Sequence, residues 1–197
     1  MRIGVDIDEV VVKLIDGFFD FYFLKYGKRF FASNLKDYYF GVSKMMDLNN
    51  EKFMEILDDF YESELFENLV FVEFAKESIM KLLEEHDLFF ITSRKNEWGG
   101  KTVNFFENHF LGKKFEIIFS GDVYKNKNKE EICLEKGIGV IIEDSAEHSP
   151  NYAEKGIKVL LMDKPWNQKV EHGNIIRVNG WNEILEKIKD IEAKENG

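Results

Sequence analysis

The stretch Met1-Arg2-Ile3-Gly4-Val5-Asp6-Ile7-Asp8-Glu9 decides the fold. Ile3, Val5 and Ile7 form a short apolar run with Gly4 inside it, and the run ends in acid, the pattern of a buried strand that delivers polar groups to a sheet's end. The residues that follow are helical in period. From Val10 to about Tyr26, the positions Val11, Leu14, Ile15, Phe18, Phe19, Tyr22 and Phe23 recur at spacings of three and four, and Gly27 is placed to cap them. Asn49 to Tyr61 repeats the pattern through Phe53, Ile56, Leu57 and Phe60, with Asn49 or Asn50 as N-cap and an aromatic, irregular stretch before it. Residues 14–70 therefore read as helical without strands.

Further along, helices and strands alternate. Glu73–His86, Lys101–Phe110, Lys129–Lys136, Ser149–Glu154 and Trp181–Ile191 carry helical periodicity, while Leu88–Ile91, Phe115–Phe119, Ile138–Ile142 and Lys158–Met162 read as strands. Runs such as Val140-Ile141-Ile142 and Val159-Leu160-Leu161 are expected of strands covered on both faces. The expected fold is α/β, a doubly wound parallel sheet formed by residues 1–13 and 71–197, with 14–70 as a small helical insertion after the first strand.

Composition bounds the partners. The 197 residues are 44% hydrophobic and include 19 Phe, far from a chain too polar to fold. With 27 Lys and Arg against 37 Asp and Glu, the net charge of −10 repels phosphate backbones and anionic lipid. Polymeric nucleic acid and membranes are thus not expected partners, and a homodimer is left open. The single cysteine, Cys133, cannot close an intrachain disulfide, no basic and apolar leader precedes the first strand, and the expected location is cytoplasmic.

In open parallel sheets, ligands bind beyond the carboxyl ends of the strands. Four strand ends here supply Asp6-Ile7-Asp8, Thr92-Ser93-Arg94, the segment from Ser120 through Lys125, Lys127 and Lys129, and Glu143-Asp144. Asp6 and Asp8, two apart on a strand, can face one substrate, one as nucleophile and the other as acid and then base. Their mutual repulsion calls for a divalent cation, and hard oxygen ligands including Asp144, with Glu143 nearby, suit Mg²⁺. Thr92 and Ser93 offer donors to an anion or cap a helix; Arg94 reaches either substrate or a surface acid. Lys129, at a helix start, is placed to balance an aspartyl-phosphate, although lysine runs are usually solvated. The four histidines show no zinc spacing.

Together, Asp6-x-Asp8, Thr92 or Ser93, Lys129 and Glu143-Asp144 resemble the four motifs of the haloacid dehalogenase-like phosphatases, across nearly the whole chain. Ile91-Thr92-Ser93-Arg94, Lys129-Glu-Glu-Ile-Cys133, Ile142-Glu143-Asp144-Ser145 and Asp163-Lys-Pro165-Trp166-Asn167 are similar to the 5′(3′)-deoxyribonucleotidase family and its bacterial relatives. The resemblance implies that Asp6 attacks phosphorus and Asp8 is the acid/base. It implies that Thr92 or Ser93 and Lys129 hold the phosphoryl oxygens, and that Asp6, the Asp8 carbonyl and Asp144 bind Mg²⁺. It also disfavours dehalogenation, because dehalogenating members lack the second Asp. One departure stands out: the position after that Asp is commonly Gly in the family and is Glu9 here.

The 84 positions from Asp8 to Thr92 leave room for a cap over the site. Its Asp37-Tyr38-Tyr39-Phe40 cluster either packs in a Phe-rich core or stacks on a base, and the resemblance favours Tyr39 and Phe40 as base contacts. The expected activity is Mg²⁺-dependent hydrolysis of nucleoside monophosphates. A sugar-phosphate phosphatase, a phospho-accepting signalling module and a non-catalytic binding module are the alternatives.

Overall fold

A computed structural model describes residues 1–37, 39–121 and 128–195, with the side chains of Tyr39, Phe40 and Glu195 left outside the description. In chain order the elements are β1 (Arg2–Val5), α1 (Leu14–Tyr26), α2 (Tyr39–Met45), α3 (Asn50–Tyr61), α4 (Glu64–Glu67), α5 (Ala75–Glu85), β2 (Asp87–Thr92), α6 (Gly99–His109), β3 (Glu116–Phe119), α7 (Lys129–Lys136), β4 (Val140–Glu143), α8 (His148–Glu154), β5 (Lys158–Met162), β6 (Ile175–Val178) and α9 (Trp181–Glu195). Among the described residues the strands form one six-stranded sheet, ordered β3-β2-β1-β4-β5-β6, and every pairing is parallel.

The central strands show why their sequences are uniformly apolar. Val140 and Ile142 pack into one core with Leu160, Phe90 and the helix α9 residues Trp181, Ile184 and Ile188. Ile141, Val159 and Leu161 point the other way, onto Ile132 and Cys133 of α7 and Tyr152 of α8. Alternation at period two thus buries both faces of the sheet. The strand order reverses between β1 and β4, so the ends of these two strands flank the crevice where open sheets bind ligands.

Between β1 and α5 the described chain is helical. Phe18 of α1 meets Phe53 and Phe60 of α3 edge-on, with ring centroids 5.7 and 5.5 Å apart. Gly17 lets Leu69 pack closely on α1, since a Cβ there would lie 2.6 Å from Leu69 Cδ2. The outgoing and returning chain segments run side by side: Lys13 N donates to the Val70 carbonyl, and Val72 N to that of Val11, both at 2.9 Å. No helix among the described residues is long and apolar enough to cross a membrane.

Two local outcomes differ from the periodicity. The first helix starts at Leu14 rather than near Val10, because Val11 N and Val12 N both bond back to the Ile7 carbonyl in a tight turn. Strand β6, Ile175–Val178, is a further strand that the periodicity reading does not include, although Ile175, Ile176 and Val178 are β-branched; it is short and half-exposed at the sheet edge.

Candidate active site

The turn after β1 builds the site. Asp6 N donates to the Ile142 carbonyl at 2.9 Å, carrying the sheet pairing one residue past Val5 and fixing Asp6 beside the end of β4. Glu9 then takes a left-handed conformation, φ 61°, a backbone region that favours glycine. A non-glycine residue there costs about 1 kcal/mol or more. The Glu9 side chain offsets part of that cost: Oε1 accepts from Ile15 N at 2.8 Å, satisfying an otherwise orphaned donor in the first turn of α1. Its other oxygen lies 3.9 Å from Lys164 Nζ. The carboxylate therefore serves the helix start and is not part of the acidic cluster described next.

A polar chamber of about 270 Å³ opens at the ends of β1 and β4, lined among others by Asp6, Asp8, Ser93, Lys129, Glu143 and Asp144. Lys129 is buried and donates to Asp6 Oδ1 at 2.5 Å, with Glu143 Oε2 at 3.9 Å. It reaches this position because Asn128 and Glu131 form a reciprocal capping box that starts α7 there. Lys125 and Lys127, the other lysines of that run, lie outside the described residues.

Three carboxylates, those of Asp6, Glu143 and Asp144, bring one oxygen each within 4.8 Å of one another. Among the described residues Lys129 is the cation at Asp6 and Glu143, and Lys164 opposes the crowding at Asp144. Burial pushes the Asp6 carboxyl up to about 7, with Lys129 opposing and Glu143 and Asp8 adding to the rise. Burial likewise holds Asp144 well above the ordinary carboxylate range, reinforced by Glu143 and Asp6. Burial alone would depress Lys129, but Asp6 and Glu143 keep it above the usual lysine value. A close-set, under-neutralised group of buried oxygen donors fits a hard divalent cation.

The loop after β5 supports this cluster. Trp166 Nε1 donates to Asp144 Oδ2 at 2.9 Å, and Asn167 Nδ2 donates to the carbonyls of Asp144 and Met162 at 2.8 and 2.7 Å. Arg177 Nη1 in turn donates to Asn167 Oδ1 at 2.7 Å. Trp166 and Asn167 have family likeness in the sequence, but their work becomes visible only when β5 and β4 are adjacent. His148 carries no sequence signal for the site; it lines the polar chamber, with burial and Lys129 holding its imidazole below the ordinary value.

An apolar chamber of about 180 Å³ adjoins the polar one and shares Asp8 and Ser93 with it. Phe18, Phe53, Leu57, Tyr61 and Trp98 line it. The Tyr61 and Trp98 rings stack at 3.7 Å and 1°, joining α3 to the turn that precedes α6. Of the Thr92-Ser93 pair, Ser93 lines both chambers, whereas Thr92 is fully buried and its Oγ1 accepts from Arg94 N at 3.1 Å. Gly121 sits against this loop so closely that a Cβ would come within 2.7 Å of the Ser93 carbonyl oxygen. Arg94 reaches an acid, but a half-buried one inside the site: its guanidinium grips Asp8, with Nη2 to Oδ1 at 2.5 Å. The carboxylate of Asp8 thus faces Arg94 and lies outside the three-carboxylate cluster. Asp37 lines the polar chamber, while Tyr38 and the side chains of Tyr39 and Phe40 lie outside the described residues.

A family model described as "5' nucleotidase, deoxy (Pyrimidine), cytosolic type C protein" matches residues 1–196. The "Putative nucleotidase YqfW" of Bacillus subtilis is 26% identical over 187 residues, covering 94% of this chain and 92% of that protein. Among solved structures, SP0104 of Streptococcus pneumoniae, a haloacid dehalogenase-like family hydrolase, aligns at TM-score 0.64 and 16% identity over 95% of this chain and 97% of that one. YfnB of Bacillus subtilis, in a crystal structure described as bound to magnesium, aligns at TM-score 0.62 and 14% identity over 94% and 96%. These structural likenesses show the fold, and the match along residues 1–196 adds the family. The chain has the fold of haloacid dehalogenase-like hydrolases, belongs to the cytosolic type C 5′-nucleotidase family, and is a phosphoric monoester hydrolase.

Proposed function

We propose that the protein is a Mg²⁺-dependent nucleotidase that hydrolyses nucleoside monophosphates, deoxyribonucleotides among them, through an aspartyl-phosphate on Asp6. The observation that carries this reading is the junction of two unlike chambers at Asp8 and Ser93, one acidic with a buried lysine and one walled by aromatic rings. A phosphoryl group suits the first and a nucleoside the second. Residues 14–70 act as a cap whose helices supply most of the apolar wall.

In this mechanism an Asp6 oxygen attacks phosphorus and the ester P–O bond breaks, while Asp8 gives a proton to the departing oxygen, releasing the nucleoside as an alcohol. Asp8 then takes a proton from a water that attacks the same phosphorus, the bond to Asp6 breaks, and orthophosphate leaves. Lys129, with Ser93 or Thr92, holds the phosphoryl oxygens throughout. Asp6, Asp144 and the Asp8 carbonyl, with Glu143 beside them, would hold Mg²⁺. The ion supplies charge neutralisation for the phosphoryl group and for the crowded carboxylates. Bound magnesium in the related fold of YfnB supports that choice. Burial of Lys129 against Asp6 relieves the repulsion between the nucleophile and an anionic substrate.

The test is phosphate release from ribo- and deoxyribonucleoside 5′- and 3′-monophosphates and from sugar phosphates, with Mg²⁺ or EDTA. Turnover of nucleotides that disappears with EDTA and in Asp6→Asn is the expected result. Turnover confined to sugar phosphates would overturn the substrate, and EDTA-resistant turnover would overturn the metal.

A further inference from the structure

Arg94 is the least expected member of the site. Its side chain is 4% exposed, and its guanidinium is held by groups inside the site. Nε lies 3.1 and 3.2 Å from the two oxygens of Asp8, Nη2 lies 2.5 Å from Oδ1, and Nη1 donates to Thr102 Oγ1 at 3.0 Å. The ring of Phe66, from α4 in the 14–70 segment, stands 4.9 Å from the guanidinium carbon. Thr102 is itself tied to the Trp98 carbonyl at 3.2 Å.

The placement is selective. Arg94 lines the apolar chamber and is not among the residues that line the polar one, whereas Asp8 lines both and keeps 17% of its side chain open. Lys129 lines the polar chamber, proposed to take the phosphoryl group; Arg94 lines the apolar one, proposed to take the leaving group. A buried guanidinium must stay paired, since an orphaned buried charge costs several kcal/mol, and its planar fork fixes a carboxylate in orientation as well as in place.

We propose that Arg94 is a positioning residue that sets the Asp8 carboxyl toward the leaving oxygen, so that its contribution is concentrated on esters whose departing alkoxide needs a proton. This inference rests on the proposed acid role of Asp8. In the step concerned, the P–O ester bond breaks, its electrons go to the departing oxygen, and the Asp8 proton joins that oxygen. Misplacement of a reacting group by about 1 Å costs roughly 10²-fold. A p-nitrophenolate leaves without protonation and escapes most of that cost; a nucleoside 5′-alkoxide does not.

The experiment compares kcat/KM for a nucleoside 5′-monophosphate and for p-nitrophenyl phosphate, because kcat/KM reports the steps up to alcohol release. Arg94→Met is expected to lose about 10²-fold on the nucleotide and under about tenfold on the aryl ester, Arg94→Lys to recover part of the difference, and Arg94→Met added to Asp8→Asn to cost little more than Asp8→Asn alone. Equal losses on the two esters, or full additivity with Asp8→Asn, would overturn the inference. If Arg94→Met does not fold, Thr102→Val, which removes the hydroxyl holding Nη1, carries the same comparison with the same outcomes. Failure of the underlying reading looks different: Asp8→Asn itself would then show no preference between the two esters.

Discussion

Replacing Glu9 by glutamine keeps the amide-to-carbonyl geometry that caps α1, since a glutamine Oε1 can still accept from Ile15 N, and removes a charge that the fold holds away from water. Glu9 is 5% exposed, and burial pushes its carboxyl up to about 7 from 4.5, with Lys164 and the Ile15 N–H opposing the rise. Between those two values the folded protein holds the proton more tightly than the unfolded chain does. The contribution of Glu9 to stability is therefore greatest below pH 4.5, falls as pH rises toward 7, and levels off above it. At 1.36 kcal/mol per decade, ionising Glu9 costs the fold about 3 kcal/mol at pH 8. Glu9→Gln carries no such cost, so the stability gap between variant and wild type should widen in favour of the variant by about 3 kcal/mol between pH 4.5 and pH 8. Urea unfolding of the EDTA-treated proteins, followed by far-ultraviolet circular dichroism at several pH values, measures the gap directly; titration of Asp6 and Asp144 occurs in both proteins and largely cancels. A gap independent of pH would refute the reasoning. A gap that narrows or reverses as pH rises would mean that attraction to Lys164, 3.9 Å away, outweighs burial.

Two further outcomes follow from the site. Lys129→Ala should lose turnover by roughly 10²-fold or more, as removal of a preorganised charge partner does, whereas Lys125→Ala and Lys127→Ala should stay near wild type in the same phosphate-release assay. Trp166→Phe keeps the ring volume but removes the Nε1 donor to Asp144, and should weaken Mg²⁺ binding about 10- to 100-fold by isothermal titration calorimetry.

The parallel sheet was readable from its runs of β-branched residues, because a strand buried on both faces leaves no room for polar alternation, as β4 demonstrates with four buried residues in sequence. Asn49 as N-cap of α3 was equally legible: its side chain accepts from Lys52 N, a purely local bond. Features that depend on chain segments distant in sequence were not. The half-exposed edge strand β6 is only four residues long; its Ile175, Ile176 and Val178 favour a strand, and the pairing with β5 defines it. Asp6, Asp8, Ser93, Lys129 and Asp144 are brought to one chamber as their strand-end positions suggest, because a parallel sheet puts all such ends on one side. The partner of Arg94 is 86 positions away in the chain, and that of Trp166 is 22 away, so both pairings come from strand order and not from local spacing. Glu9 marks another limit: its residue type suggests a place among the acidic groups of the site, whereas its side chain bonds to the start of α1.

The central claim is that Asp6 carries the phosphoryl group. Rapid acid quenching of the protein during turnover of a 2′-deoxynucleoside 5′-monophosphate with Mg²⁺, followed by mass spectrometry of its peptides, tests this most directly. The account predicts one phosphoryl group on the peptide that contains Asp6, absent with EDTA and absent in Asp6→Asn. Steady turnover with no phosphoryl group on Asp6, or turnover undiminished in Asp6→Asn, would contradict it.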